Sequence, residues 1–279
     1  MHKPKISIIT ISYNSGETIA QTIESVLNQT YSNYEYIIID GGSKDNTMEI
    51  VDSFGDKIAY KISEPDKGIS DAFNKGIRAA TGEIIGICNS NDLLLPDALE
   101  KIAEAYEEGV DVYRASQIMR NFETGYEYVM HPTIDIPKIP FAANKCHMGC
   151  YITKEAFEKY GMYDVEFKYA MDLELLRRFT YYGAKQKEVP HNIGVFRLGG
   201  VSQQGEKFKK WEREQVVLRY GGTYFDVWVY QTYQNIRQLI KNCLNFFGKD
   251  VASKVRFGLK KSKRRMRYDD SKAPVRNTK

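Results

Sequence analysis

A chain of 279 residues, 42% hydrophobic and 27% charged, has the composition of an ordinary globular protein with room for a substantial core. Its formal net charge of +4 is concentrated in KVRFGLKKSKRRMR (Lys254–Arg267), so the basic character belongs to an appendage, and no nucleic-acid recognition motif accompanies it. Four cysteines without a C-x-x-C pair argue against a disulfide framework and against structural zinc, and no stretch approaches the ~20 apolar residues of a membrane-spanning helix.

The first apolar run, ISIITIS (Ile6–Ser12), reads as a strand that ends at Tyr13-Asn14, too soon for a signal peptide. Asn14 with Glu17 has the spacing of a capping box, and Ile19, Ile23, Val26 and Leu27 mark one face of the helix that follows. Tyr34–Ile39 repeats the pattern: a β-branched run, a polar turn at Asp40–Lys44, and a helix from about Asp45. Ile58–Ile62 predicts a third strand. Ser63–Gly82 begins as a polar loop and continues as a helix with Ile69, Ala72, Phe73, Gly76 and Ile77 inward. Gly82–Cys88 is a fourth strand, ending at Asn89-Ser90-Asn91-Asp92, and Pro96 opens a further helix. Strands buried on both faces with polar turns at their carboxyl ends describe an α/β fold whose crevice at that rim binds ligands.

Beyond residue 108 the alternation changes. Val110–Tyr113 reads as a strand and Gln117–Met130 as a hairpin turning at Glu123-Thr124-Gly125. Helices follow at Lys154–Tyr160 and Met171–Tyr182, and a strand at Val189–Leu198. Residues 203–247 have a helical pattern, with Val227, Tyr230, Ile236, Ile240, Leu244 and Phe247 on one stripe, and the last residues have the composition of a disordered tail.

Several side chains at the expected rim carry chemistry. Tyr13 is placed to stack on a nucleobase. Asp40 ends a buried strand, where a carboxylate either accepts hydrogen bonds from a base or ribose or caps the following helix. Lys67 either neutralises phosphate charge or is a solvated loop lysine. In Asn89–Asp92 only Asp92 is anionic. It is either the carboxylate that holds a divalent cation, Mn²⁺ or Mg²⁺, with Asn89 and Asn91 offering oxygens, or part of an Asx-rich turn. Asp172 stands near the start of a helix, as a general base or as a first-turn acid that complements the helix dipole. Asp172 and Glu174, two apart, do not share a helix face.

SIITISYN, IIIDGGSKDNT, SEPDKGISDAFNKGI, ATGEIIGICNSNDLLLP and KYAMDLELLRR, in this order between about Lys5 and Gly200, resemble family 2 glycosyltransferases of the GT-A fold, especially bacterial polysaccharide-biosynthesis enzymes. The resemblance implies a Rossmann-like, mostly parallel sheet flanked by helices, with a C-terminal helical extension. It implies inverting transfer of a sugar from a nucleoside-diphosphate sugar, UDP first, to a saccharide or lipid-linked acceptor hydroxyl. By resemblance Tyr13, Asp40, Lys67, Asp71, Asn91 and Asp92 line the nucleotide-sugar site, Asp92 is the metal ligand, Asp172 the catalytic base, and His147 faces the acceptor. Two positions depart from the usual pattern: Gly41, where many relatives carry a second aspartate, and Asn91, where many have an acid.

The expected organisation is a transferase domain over residues 1–203, divided near 108 into nucleotide-sugar and acceptor halves, a helical extension over 204–261, and a basic tail over 262–279. Apolar stripes beside clustered Lys and Arg fit an anionic membrane surface, so the expected location is cytoplasmic with peripheral attachment to the inner face of the membrane. A non-catalytic nucleotide-sugar-binding scaffold is the competing function, motivated by Asn89 and Asn91. A dinucleotide-dependent oxidoreductase is disfavoured because YNSGE, not G-x-G-x-x-G, follows the first strand.

Overall fold

The computed structural model describes residues 2–140, 143, 145–198 and 206–246. They belong to two compact units, 1–137 with 143–216, and 138–142 with 217–279. In chain order the first unit contains β1 (Ile6–Ser12), α1 (Ile19–Leu27), β2 (Tyr34–Asp40), α2 (Thr47–Ser53), β3 (Tyr60–Ser63), α3 (Ile69–Ala79), β4 (Ile84–Ile87), β5 (Leu93–Leu94) and α4 (Ala98–Glu104). It continues through β6 (Val112–Arg120), β7 (Glu127–Met130), β8 (Cys150–Thr153), α5 (Lys154–Tyr160), α6 (Met171–Tyr181), β9 (Gln186–Arg197) and α7 (Glu206–Arg219) as far as Val216.

The sheet runs β3-β2-β1-β4-β8-β6-β9-β5, with β7 paired to β6. β3, β2, β1 and β4 are mutually parallel. The apolar runs of β1, β2 and β4 are continuous because both faces are covered, whereas β3, at the edge, is largely exposed. Ile6, Ile8 and Ile38 pack in one core with Ile19, Ile23 and Val26 of α1 and Val51 of α2. On the opposite face α3 lies so close that a Cβ on Gly76 would stand 2.5 Å from Ile9 Cγ2. That approach explains a glycine in mid-helix, which costs about 1 kcal/mol in propensity. The other half of the sheet is mixed. β8 is antiparallel to both β4 and β6, β9 is parallel to β6, and β5 is antiparallel to β9.

Two local expectations change. The capping box does not form: Thr18 precedes α1 without a side-chain cap bond, and Asn14 takes a left-handed φ of 48°. The Asn14 side chain instead accepts the Lys44 amide at 2.8 Å and ties the first turn to the second. The separate strand expected at Val110–Tyr113 and the first arm of the hairpin are one long strand, β6, and the hairpin turn falls where the Thr124-Gly125 signal put it. Gly199, Gly200 and the tail over 262–279 lie outside the described residues.

In the second unit, α8 (Tyr224–Phe246) begins at a reciprocal cap. The Asp226 carboxylate accepts the Thr223 amide at 2.7 Å, while the Thr223 hydroxyl accepts the Asp226 amide at 3.2 Å. Lys138 pairs with Asp226 at 3.0 Å. Of the expected stripe, Val227 and Tyr230 are buried and Ile236 and Ile240 are exposed; the side chains of Leu244 and Phe247 lie outside the description.

At the amino-terminal edge of the sheet Glu35 gathers five donors. They are Lys5 Nζ (2.8 Å), Ser7 Oγ (2.6 Å), the Thr81 amide (2.6 Å) and hydroxyl (2.7 Å), and the Gly82 amide (3.2 Å). Burial works against its charge, but the bonds from Lys5, Ser7 and Thr81 outweigh it and bring its pKa from 4.5 to about 2. A carboxylate depressed on folding stabilises the native state above its unfolded pKa, and that stabilisation is lost as pH falls. Urea unfolding should therefore show a loss of about 2 kcal/mol between pH 5 and pH 2 that Glu35→Gln removes, the mutant being less stable than wild type at pH 7. An unchanged acid slope in Glu35→Gln would contradict this account.

Candidate active site

The parallel strands deliver their carboxyl ends to one rim. Ser12, Asp40 and Ser63 are in register across β1, β2 and β3. Because β8 runs antiparallel to β4, with Gly86 opposite Tyr151, the residues just before Cys150 return to the carboxyl end of β4 and place His147 there. The amino end of α3 stands where β3 exits, and Ser70 Oγ donates to the Phe167 carbonyl at 2.9 Å. The segment leading to Asp172 is thus fastened to the same rim. Tyr13, Asp40, Asn91 and Asp92 follow or end β1, β2 and β4 there, Lys67 and Asp71 follow β3, and His147 precedes β8, with Asp172 near enough to His147 to influence its protonation.

Asp40 is fully buried and its oxygens are fully engaged. Oδ1 accepts the hydroxyls of Ser12 (3.0 Å) and Ser43 (2.5 Å). Oδ2 accepts the amides of Gly42 (3.1 Å) and Ser43 (2.8 Å) and the Ser63 hydroxyl (2.6 Å). Burial disfavours the charge, but the donors from Ser43, Ser63 and Ser12 prevail and hold the group below the usual carboxylate range. A carboxylate offers about four acceptor positions, so five donors leave none for a ligand. This geometry is that of a turn-former, and not of a cap on α2, since the amides it accepts, of Gly42 and Ser43, lie in the turn before that helix.

Tyr13 extends into solvent with 63% of its surface exposed. Beside it, the position a Cβ would take on Gly41 lies 3.4 Å from Tyr13 Cδ2 and 2.8 Å from Asp66 Oδ2. Asp66 Oδ1 is held by Lys75 Nζ at 2.9 Å, and Lys75 also pairs with Glu64 at 2.9 Å. Lys67 is exposed, and its amide donates to Asp71 Oδ2 at 3.1 Å, so Asp71 braces the loop that carries the lysine.

Asp92 has no exposed surface. Its Oδ1 accepts the Arg197 amide at 3.0 Å and its Oδ2 the Asn89 side-chain amide at 3.4 Å. The Arg197 guanidinium turns elsewhere, to the Asn91 carbonyl at 3.1 Å and over the Phe122 ring at 3.8 Å. Burial pushes the carboxyl up to about 7, only partly offset by the Arg197 amide, the Asn89 amide and the Arg197 charge. Asn89 Oδ1 is buried without a hydrogen-bond partner. No cluster of three or more His, Cys, Asp or Glu suited to a metal occurs among the described residues. An under-compensated carboxylate beside an orphaned amide oxygen nevertheless fits a hard divalent cation that takes most of its ligands from phosphate and water.

Asp172 lies in the first turn of α6, half-buried, with Oδ2 3.1 Å from Lys145 Nζ and Oδ1 accepting the Leu173 amide at 2.8 Å. Glu174 turns inward to Arg178, at 2.9 Å, so the two acids separate as their spacing requires. The helix has no side-chain cap of its own. Glu212 of α7 instead fixes the segment entering it, accepting the amides of Lys168 (2.8 Å), Tyr169 (2.9 Å) and Ala170 (2.7 Å). Arg114, wholly buried, donates to the Lys145 carbonyl at 2.7 Å. The His147 ring is committed to packing. Its Nε2 is 2.8 Å from Tyr163 Oη, and the ring lies 5.2 Å from Phe73. Burial lowers its pKa against the opposing influence of Asp172. Sequence reasoning missed Asp66, Lys145, Arg197 and Glu212; the last three bond to partners more than 25 residues away, without a local pattern to betray them.

The model of glycosyl transferase family 2 matches residues 7–202. An uncharacterized glycosyltransferase of Rickettsia typhi is 31% identical over 190 residues, 64% of this chain and 59% of that protein, so the chain matches well under two thirds of that relative's length. A PGL/p-HBAD biosynthesis glycosyltransferase of Mycobacterium bovis is 27% identical over 62% of this chain and 68% of its own. Among solved structures, S. aureus TarS 1-349 in complex with UDP-GlcNAc superposes with a TM-score of 0.61 at 17% identity, covering 76% of this chain and 65% of that one. The mannosyltransferase PcManGT of Pyrobaculum calidifontis, in complex with GDP-Man and Mn²⁺, gives a TM-score of 0.61 at 16% identity over 93% and 81%. The continuous parallel half-sheet, its polar rim and the match over residues 7–202 together make this chain a member of glycosyltransferase family 2 with the GT-A fold.

Proposed function

We propose that the chain is an inverting glycosyltransferase that moves a sugar from a nucleoside-diphosphate sugar to an acceptor hydroxyl, with Asp172 as its general base. What supports this reading is the setting of Asp172: a first-turn carboxylate held by Lys145 at 3.1 Å and near enough to His147, just before β8, to oppose the lowering of its pKa. UDP is the first-choice nucleotide, since TarS has been solved with UDP and with UDP-GlcNAc; PcManGT, solved with GDP-Man, makes a guanosine donor the second choice. The acceptor class we favour is a lipid-linked saccharide in surface polysaccharide assembly, by analogy with the relative named for PGL/p-HBAD biosynthesis.

In the reaction the Asp172 carboxylate takes the proton of the acceptor hydroxyl as that oxygen attacks the anomeric carbon. The bond from the anomeric carbon to the diphosphate oxygen breaks on the opposite face, the configuration inverts, and the nucleoside diphosphate leaves with the bonding pair. Lys145 keeps the carboxylate oriented and must yield Oδ2 to the acceptor. Tyr13 stacks on the base, Lys67 screens phosphate charge, and Asp71 shapes the loop that presents Lys67. Asp92, with Asn89 and Asn91 beside it, would hold Mn²⁺ or Mg²⁺, which supplies Lewis-acid stabilisation of the departing diphosphate.

Removing a general base costs typically 10²- to 10⁴-fold in rate. Asp172→Asn should therefore lower kcat by at least about 10²-fold while leaving the Kd for UDP within a few-fold of wild type, measured by released nucleotide and by calorimetry. Full activity in Asp172→Asn would remove the base assignment. A wild type that binds the nucleotide sugar yet transfers to no acceptor would favour the scaffold reading.

The exposed residues Tyr224, Phe225, Trp228, Leu239 and Ile240 of α8, followed in sequence by Lys254–Arg267, support peripheral attachment to an anionic membrane. Among the described residues no helix is long and apolar enough to cross a membrane. Sedimentation with vesicles containing phosphatidylglycerol should pull down the full chain at low salt, and Trp228→Ser with Leu239→Ser should weaken that binding. Equal recovery with neutral vesicles, or a concentration-dependent dimer abolished by the same changes, would argue for another role of this face.

A further inference from the structure

We propose that Arg197 is a positioning residue for the Asp92 turn and that Phe122, at the tip of the β6–β7 hairpin, holds the Arg197 guanidinium in place, a role that rests on the reading of Asp92 as the carboxylate for a divalent cation.

Strand order brings these residues together. β4 and β6 both run antiparallel to β8, and β9 runs parallel to β6, so β4, β6 and β9 release their carboxyl ends at the same rim. β5 pairs with β9 through Leu93 and Val195, which sets Asp92 beside the end of β9. The Arg197 amide then reaches Asp92 Oδ1 at 3.0 Å. Any residue except proline offers that amide. What needs arginine is the side chain. Nε donates to the Asn91 carbonyl at 3.1 Å, Nη2 donates to Gln21 Oε1 of α1 at 3.3 Å, and the guanidinium carbon lies 3.8 Å from the centre of the Phe122 ring. A planar guanidinium donates along its edges while its face stacks, and a lysine ammonium does not combine the two.

The Asn91 carbonyl belongs to the peptide that enters Asp92. The other end of that peptide is held as well, since the Asp92 amide donates to the Asn89 carbonyl at 2.9 Å. The peptide that leaves Asp92 is held by Thr22 of α1, whose hydroxyl donates to the Asp92 carbonyl at 2.8 Å. Arg197 thus fixes the first peptide plane and Thr22 the second, and the direction of the buried carboxylate follows from both. Phe122 is a firm support for the guanidinium. Asn121 Oδ1 accepts the amides of Glu123 and Thr124, each at 2.9 Å, and the Asn121 amide donates to the Tyr126 carbonyl at 2.8 Å, so the hairpin tip has a set shape. The Phe122 ring is 40% exposed and does not fill the core; its contact with Arg197 is what the tip brings to the Asp92 turn.

The test is calorimetry of the full chain with UDP, or with GDP if UDP does not bind, in the presence and absence of Mn²⁺. The ratio of the two Kd values is the factor by which the metal strengthens nucleotide binding. Asp92→Asn should abolish that factor. Arg197→Met should reduce it by about 10-fold or more, the usual cost of losing a residue that orients a metal ligand, while the metal-free Kd stays within a few-fold of wild type. Arg197→Lys should resemble Arg197→Met, because it keeps the charge without the planar fork. Phe122→Ala should reduce the factor by about 3-fold and add nothing in an Arg197→Met background, and Phe122→Tyr, which keeps the ring, should match wild type. Thermal melting identifies a variant that fails to fold, and the Phe122 changes, at an exposed tip, still decide the matter if Arg197→Met does so. An unchanged metal factor in Arg197→Met, or a loss of nucleotide binding that is equal with and without Mn²⁺, would overturn the role of Arg197 and leave the cation reading intact. A wild type whose nucleotide binding ignores Mn²⁺, or a metal factor that survives Asp92→Asn, would overturn the cation reading and this role with it.

Discussion

The rim of this sheet depends on one buried carboxylate. Asp40 joins the ends of three parallel strands through Ser12, its own backbone turn and Ser63, and it does so from a position without solvent exposure. Taking a carboxylate out of water is expensive unless hydrogen bonds replace its hydration, and here five donors do so. The consequence is geometric. Once the three strand ends are held in register, the turns after β1 and β2 are fixed against each other, as Asn14 Oδ1 on the Lys44 amide and Asn14 N on Ser43 Oγ record. The loop after β3 is drawn against the Gly41-Gly42 turn. Everything at the rim that stays exposed, Tyr13 above all, stands on this clamp.

The other wall of the site is assembled by long-range capping. The amino end of α6 has three amides in the preceding segment that no local side chain satisfies. Glu212, 42 to 44 residues downstream, accepts all three, and Ser70 of α3 holds the same segment by the Phe167 carbonyl. Asp172 therefore projects from a helix end that is tethered both to the parallel half of the sheet and to α7. Buried Arg114 performs a comparable task for Lys145 through that residue's carbonyl. The proposed role of Asp172 needs a carboxylate whose backbone is fixed, and these backbone ties supply that.

Much of the parallel half was readable because its physics is local. Continuous Ile-rich runs, each ended by a polar turn, mean strands covered on both faces, and β1 and β2 fall where their runs do. The face of α3 was readable from its 3.6-residue period, including Gly76. What escaped was whatever depends on counting donors or on contacts across the chain. Spacing places Asp40 at the crevice but does not show that Ser12, Ser43 and Ser63 would exhaust its oxygens. It places Asn14 and Glu17 three apart but does not show that Lys44 would claim Asn14. It treats Asp66 as one more loop acid, since its relation to Gly41 exists only after β2 and β3 pair. The resemblance turns His147 toward the acceptor, and nothing in CHMGC shows that Phe73 and Tyr163 pack against its ring.

The charge pattern of the rim explains why a cation belongs in the proposed chemistry. Lys75 is engaged by Glu64 and Asp66, and Lys145 by Asp172, so these cations already have anionic partners. Arg197 lends Asp92 its amide while its guanidinium lies on Phe122 and the Asn91 carbonyl. An incoming diphosphate thus meets a rim rich in carboxylates whose compensating charges are mostly spoken for, with exposed Lys67 as the evident exception. Meanwhile the Asp92 carboxyl, buried and pushed up to about 7, carries an electrostatic deficit of its own. A divalent ion held by Asp92 would give the carboxylate a counter-charge in a low-dielectric setting and would supply Lewis-acid stabilisation to a departing diphosphate.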